Sequence, residues 1–181
     1  MVMKKKILLI FICNIFLCTY LPCQNVLKIR DIGYDFYSVP LEEFTPAFVT
    51  RVIDGDTIEV EIIRNEEYKL NRFEKIRFIG VDTPETKHPT KKMQYYGKEA
   101  YEYTKNRLEG SLVYLLFENN IRDKYNRLLC YIIEEDYNLF NYELIYYGFS
   151  YAYLNYPFTY SKTFIQGQKE AEINKYGMWS K

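Results

Sequence analysis

A chain of 181 residues without a long Gly/Pro/Ser linker accommodates one domain with a real core and is short for two. Basic and acidic residues balance at 24 each, which excludes a protein that grips nucleic acid through an overall basic surface. A single histidine and four cysteines argue against a histidine-centred triad, a His-rich zinc site or a disulfide-stapled fold.

Lys4-Lys5-Lys6 followed by the apolar run Ile7 to Leu17 predicts an export signal over residues 1–23, too short and too close to the terminus for an ordinary membrane span. Cys23 just after the apolar segment also fits a lipoprotein signal. Cys13, Cys18 and Cys23 all fall in this leader, so Cys130 stands alone in the remainder. Without the leader about 158 residues are left, with 21 basic against 24 acidic groups and a net charge near −3. Residues 24–44 read as an irregular lead-in, and a single domain spans residues 45–181.

Within the domain, Ala47 to Ile53 and Thr57 to Ile63 are rich in β-branched residues and flank Asp54-Gly55, which predicts a hairpin. Phe73 to Val81 makes a third strand that Thr83-Pro84 stops. Residues 83–95 form a polar loop containing His88. Gly97 to Leu108 carries Ala100, Tyr103, Thr104 and Leu108 at helical spacing, with Gly110 just beyond. Leu112 to Phe117 and Arg127 to Ile133 return as strands. Asn138 is the expected cap of a helix that runs through Tyr147 and stops at Gly148. Phe149 to Tyr153 is a short extended piece. Ser161 is the expected cap of the last helix, which reaches about Lys175, with Met178 and Trp179 folding back beyond Gly177. The sum is an α+β fold: a small closed five-stranded barrel of oligonucleotide-binding type with about three packed helices.

Three short segments carry chemistry. Asp54-Gly55-Asp56-Thr57 and Arg77-Phe78-Ile79-Gly80-Val81-Asp82-Thr83-Pro84-Glu85-Thr86 place acids and a base where strands end, and Arg122-Asp123-Lys124-Tyr125-Asn126-Arg127 adds a second arginine before another strand. Asp56 and Asp82 are hard oxygen donors that suit Ca²⁺ with a backbone carbonyl and waters, and Mg²⁺ less well. Glu85, three positions past Asp82, can reach the same ion through a water and orient or deprotonate it. Arg77 and Arg127 offer planar forks matched to phosphate. Phosphodiester hydrolysis uses all of these groups together. Taken singly, each has a plainer reading as a tight turn, a strand cap or a surface ion pair; the 20 tyrosines are mostly compositional.

Those segments, with Gly177-Met178-Trp179-Ser180 at the C-terminus, resemble the motifs of the thermonuclease family, the secreted staphylococcal-type nucleases, over about Ala47 to Lys181. The resemblance implies a Ca²⁺-dependent endonuclease that cleaves DNA and RNA and leaves 3′-phosphate ends. It implies Asp56, Asp82 and the Thr83 carbonyl as calcium ligands, Glu85 as the water-activating base, and Arg77 and Arg127 as the phosphate-binding pair. Lys124 and Tyr125 resemble residues that touch a terminal phosphate, and Tyr153 and Tyr156 are both candidates for a base-binding surface. Asn126 stands where the family often has glycine; asparagine tolerates a left-handed conformation better than most residues. The loop between Thr57 and Arg77 looks lengthened, and the acidic mature charge departs from the family's basic character. That departure favours short-range contact with single strands by a monomer over tight binding of long duplex. A catalytically inactive nucleic-acid or protein binding module and a calcium-binding lipoprotein are the competing classes.

Overall fold

Alternation builds the first hairpin of the computed structural model, which describes residues 40–64, 68–86 and 94–181. Along β1 (Thr45–Asp54) Ala47, Val49 and Val52 point into the core, and a bulge between Val49 and Arg51 adds the residue that breaks the two-residue period. The partner strand β2 (Thr57–Ile62) buries Ile58, Val60 and Ile62, so Val49 faces Val60 and Val52 faces Ile58 across the pair. On β3 (Phe73–Phe78) Glu74, Ile76 and Phe78 turn inward while Phe73 and Lys75 stay outside. The barrel closes in the order β1-β2-β3-β6-β5 with β5 (Leu112–Arg122) returning to β1. Only β3 and β6 (Leu128–Ile133) run parallel. The closed sheet leaves no free edge in the barrel.

The third strand does not continue to Val81 as the sequence predicts. It ends at Phe78, and the chain turns through Gly80 at φ 72°, where an added Cβ would press on the rings of Phe158 and Phe164 at 2.7–2.8 Å. The residues beyond form β4 (Val81–Asp82), which leaves the barrel and pairs with β7 (Tyr151–Ala152). This turn brings Asp82 back towards Arg77. The fifth strand, in contrast, runs on past Phe117 to Arg122, where it still pairs with Leu128 of β6.

Helix α1 (Gly97–Leu108) has the predicted limits and lays Ala100, Thr104 and Leu108 on β1. Helix α2 (Phe140–Tyr146) is buried on every side between β6 and α3 (Ser161–Asn174). Neither Asn138 nor Ser161 caps a helix: the flanking residues are Leu139 and Tyr160, and no side chain caps either N-terminus. The Asn138 amide instead donates to Glu134 and Glu143, which take it away from the helix end. Met178 is buried and its N–H donates to Gly148 O at 2.9 Å; a side chain at Gly148 would collide with the Tyr176 carbonyl.

Tyr131, Tyr142, Phe78, Phe140 and Phe164 are the largest fully buried side chains. Each contributes about 1.5–3 kcal/mol on burial; edge-on contacts of Phe140 with Phe78 and of Phe164 with Tyr131 fix α2 and α3 against the barrel, and a tilted Tyr142–Phe164 contact joins the two helices. Cys130 is a buried free thiol, and burial pushes its pKa up, away from reactive thiolate character. The predicted leader, most of the lead-in and His88 lie outside the described residues.

Candidate active site

Asp56 sits at the start of β2 with its carboxylate turned inward. One oxygen accepts from the Thr57 hydroxyl at 2.9 Å and the other from Thr83 N–H at 3.0 Å. The Thr83 contact exists because residue 55 is glycine: a Cβ there would fall within 2.8–2.9 Å of the Thr83 side chain. Behind the turn the Thr104 hydroxyl of α1 donates to Gly55 O at 2.7 Å, which locks hairpin to helix.

Arg77 reaches across from β3 with only 15% of its side chain exposed and draws two carboxylates together. Its Nη2 donates to Asp82 Oδ1 at 3.0 Å. Its Nη1 lies 2.5 Å from Asp56 Oδ2 but its N–H is not aimed at that oxygen, so the contact is an ion pair and Nη1 has no hydrogen-bond partner. Asp82 is half exposed; burial pushes its carboxyl above the usual range, Arg77 opposes this and Asp56 adds to it. Its backbone is fixed by a 3.0 Å bond to the Ser150 hydroxyl beside β7.

Glu85 follows on an exposed loop, held by reciprocal bonds with Gln94: Glu85 N–H to Gln94 Oε1 at 2.9 Å and Gln94 N–H to Glu85 O at 3.0 Å. Burial raises its carboxyl, and Asp54 and Asp56 raise it further. Glu85 is therefore a better base than an ordinary surface glutamate.

The β5–β6 hairpin supplies the second arginine. Asp123 Oδ1 accepts from Tyr125 N–H and Arg127 N–H, each at 2.9 Å, and Oδ2 accepts from Arg127 Nε at 2.7 Å. The chain can make this loop because Asn126 adopts φ 63°. Tying up Nε leaves the two Nη groups of Arg127 outside that pairing, with the guanidinium carbon 5.4 Å from the centre of the Tyr125 ring. Arg122 braces the hairpin from below, with bonds of 2.6 and 3.0 Å to Glu74 and 2.9 Å to Asn126 O.

Two adjoining cavities open between these elements and share Arg77, Tyr125 and Arg127. One, of about 510 Å³, also contains Asp54, Asp56 and Glu85. The other, of about 610 Å³, runs from Asp82 past Lys124 to Tyr153 and Tyr156, whose ring centroids are 6.1 Å apart. The candidate calcium, catalytic and substrate residues therefore line one or other of these two adjoining cavities, Thr83 entering through its bond to Asp56. The sequence reading omitted Asp123, Gln94, Ser150 and the Arg122–Glu74 pair. Asp123 and Arg122 stood inside a quoted segment, whereas nothing local marks Glu74, Gln94 or Ser150.

Among the described residues no three acidic, histidine or cysteine side chains already converge on one point. The oxygen donors of Asp56, Asp82 and Thr83 nevertheless suit a hard cation by their chemistry.

Residues 75–181 match the family model described as staphylococcal nuclease homologue. A thermonuclease from Staphylococcus hyicus is 38% identical over 133 residues, 73% of this chain and 74% of the relative. A thermonuclease from Staphylococcus intermedius is also 38% identical, over 74% of this chain and 75% of its own. The endonuclease YncB of Bacillus subtilis is 36% identical over 72% of this chain and 60% of its own length. The chain belongs to the staphylococcal nuclease family and is a nuclease-type hydrolase.

Proposed function

We propose that the protein is an exported, Ca²⁺-dependent endonuclease that hydrolyses phosphodiester bonds of DNA and RNA, prefers single strands and leaves 3′-phosphate ends. The observation that carries this reading is the convergence of Arg77, Arg127 and Glu85 on the cavity that also holds Asp56. Two planar cations lining one cavity can grip the non-bridging oxygens of a phosphate bidentately and stabilise the charge that grows there. Asp56, Asp82 and the Thr83 carbonyl would hold Ca²⁺, which supplies Lewis-acid polarisation of a phosphate oxygen when bound.

Glu85 orients a water and takes its proton as the water attacks phosphorus; the bond from phosphorus to the 5′-oxygen breaks, that oxygen leaves as a hydroxyl after taking a proton from solvent, and the phosphate stays on the 3′ side. Its raised pKa suits that task. Arg77 can turn Nη1, which is ion-paired with Asp56 but not hydrogen-bonded to it, towards the phosphate. Tyr125, 68% exposed and flanked by Lys124 at 5.0 Å, presents a ring to an unpaired base. Tyr153 and Tyr156 extend that surface along the larger cavity. Such stacking surfaces favour single strands, and the small number of basic groups in the cleft suits a monomer acting locally.

Export rests on the leader over residues 1–23, with lipid attachment at Cys23 as its variant; no helix among the described residues is long and apolar enough to cross a membrane. The deciding experiment digests single- and double-stranded DNA and RNA with the purified protein in Ca²⁺ or excess chelator, followed by end-group analysis. Cleavage that stops in chelator and leaves 3′-phosphate is expected. Undiminished digestion in chelator or 5′-phosphate ends would reject the mechanism, and binding without cleavage would return the inactive-module reading.

A further inference from the structure

Phe73, Lys75 and Arg77 stand in line on the outward side of β3, spaced about 7 Å apart by strand geometry, while Glu74, Ile76 and Phe78 face the core. The line starts inside the cleft, because Lys75 lines the same cavity as Asp56, Arg77, Glu85 and Arg127. Its ammonium is not absorbed by a neighbour. Glu59 is 4.0 Å away, and that carboxylate is already held on both prongs by Arg51, Nε at 3.0 Å and Nη2 at 2.9 Å.

One step further out, Glu61 is held by Arg72 at 2.6 and 2.8 Å. Three cations thus face two neutralised carboxylates, and the surplus positive charge sits on Lys75. Phe73, directly opposite Glu61, is 60% exposed and has Arg72 at 5.3 Å from its ring centroid. An aromatic ring backed by a guanidinium and preceded by an ammonium held only by a 4.0 Å contact to Glu59 alternates as nucleotides do, base and phosphate. This outward face also belongs to the strands on which barrels of this type take up oligonucleotides.

We propose that Lys75 and Phe73 form a second nucleotide subsite continuous with the cleft: Lys75 binds a phosphate neighbouring the scissile one and Phe73 stacks an unpaired base. The proposal rests on the nuclease reading above. It makes cleavage depend on substrate length. Each nucleotide that reaches β3 adds one ionic and one stacking contact.

The test compares a dinucleotide with a single strand of about ten nucleotides, in the parent protein and in Lys75→Gln, Lys75→Arg, Phe73→Ala and Phe73→Leu. The longer strand should be the better substrate of the parent. In Lys75→Gln its advantage in kcat/KM over the dinucleotide should shrink roughly threefold to fivefold, the size of an exposed ion pair, and Lys75→Arg should restore it. The affinity of the longer strand for Lys75→Gln should also fall less steeply with salt, by about 0.7 in the log–log slope. Phe73→Ala and Phe73→Leu should reduce the same advantage by about 5- to 150-fold, as loss of a stacked base does.

An unchanged length advantage in Lys75→Gln overturns the proposal whatever the phenylalanine variants do, since Lys75 is half exposed and its loss leaves the fold intact. If the parent cleaves neither substrate, the nuclease reading fails instead. The subsite is then judged by binding alone: a weaker grip of the longer strand by Lys75→Gln supports it, and equal affinity overturns it.

Discussion

Arg77 and Arg107 each draw two carboxylates together, and they end in opposite conditions. Arg107, on α1, is saturated: Nη1 meets Glu143 Oε1 at 2.5 Å and Nη2 meets both oxygens of Glu134 at 2.7 and 2.9 Å. Glu143, only 2% exposed, also accepts from the Tyr103 hydroxyl and the Asn138 amide. Arg77 has the same two-acid arrangement at the mouth of a cavity, with Asp82 half exposed and Nη1 unaligned. The first cluster spends its charged groups on one another, with only the buried Asn138 Oδ1 among its named atoms left without a hydrogen bond, and fastens α1 to the end of β6 and to α2. The second keeps capacity for a ligand. Chemical composition alone does not distinguish a structural pair from a reactive one; satisfaction and solvent access do.

The widest separation between the two clusters should appear on breaking each charge pattern while keeping its bulk. Glu85→Gln should lower turnover by about 10²- to 10⁴-fold, and Arg77→Lys and Arg127→Lys by about 10²- to 10³-fold, with melting temperatures close to the parent. Lysine keeps the charge and loses the fork, so near-normal turnover in both lysine variants, measured by nuclease assay, would mean that a diffuse cationic field suffices. Arg107→Met should do the reverse. It leaves Glu143 buried without its cation, which costs about 3–5 kcal/mol of stability, read from urea unfolding, with turnover per folded molecule unaltered. Adding Glu143→Met should restore much of that stability, whereas no second substitution should rescue Arg77→Lys. A turnover loss in Arg107→Met equal to that in Arg77→Lys would erase the distinction.

These two clusters also mark where the sequence can be read and where it cannot. Asp56, Arg77, Asp82, Glu85 and Arg127 sit within a few residues of strand ends and in short segments whose turn chemistry is local, so their meeting follows once a barrel is assumed. Helix α1 was equally legible, because its apolar spacing, its glycine stop and its limits all agree. Arg107, Glu134 and Glu143 come from a helix, a strand end and a buried helix, and only the finished fold makes them neighbours. Asn138 shows the same blindness at closer range. Locally it is a good cap, but the buried Glu143 and the partly buried Glu134 compete for its amide and win. Gly80 looked like part of a strand, and its left-handed turn depends on the rings of Phe158 and Phe164 far along the chain.

The ion pairs that brace the cleft from beneath give a smaller effect that depends on pH. Burial opposes ionisation of Glu74, but its bonds from Arg122 and Asn71 outweigh this and hold its carboxyl below the usual range. Burial likewise opposes ionisation of Asp123, and the N–H groups of Arg127 and Tyr125 with the Arg127 guanidinium outweigh it. A depressed folded-state pKa stabilises above the unfolded value, about 4 for these acids, and that stabilisation is lost as pH falls through the folded value. Unfolding midpoints in urea should therefore fall between about pH 5 and pH 2, and Glu74→Gln should flatten part of that fall. A Glu74→Gln profile parallel to the parent's would show that Arg122 contributes nothing there.

The smallest expected effect concerns Asn126, which holds φ 63° in the hairpin that aims Arg127. A left-handed residue costs an ordinary side chain about 1–2 kcal/mol, asparagine less and glycine almost nothing. Asn126→Gly removes that strain but adds freedom to the unfolded chain, so the two terms oppose each other and stability should shift by less than about 1 kcal/mol in either direction. Asn126→Val tests the same turn from the other side. Valine tolerates this conformation poorly, so the hairpin should rearrange, Asp123 should lose its grip on Arg127, and turnover should fall with only a modest loss of stability. The turnover ratio of glycine to valine variants isolates backbone geometry, since neither side chain replaces a contact that asparagine makes with the arginine. Equal turnover in the two would mean that Arg127 is positioned by Asp123 alone and that the left-handed turn is incidental.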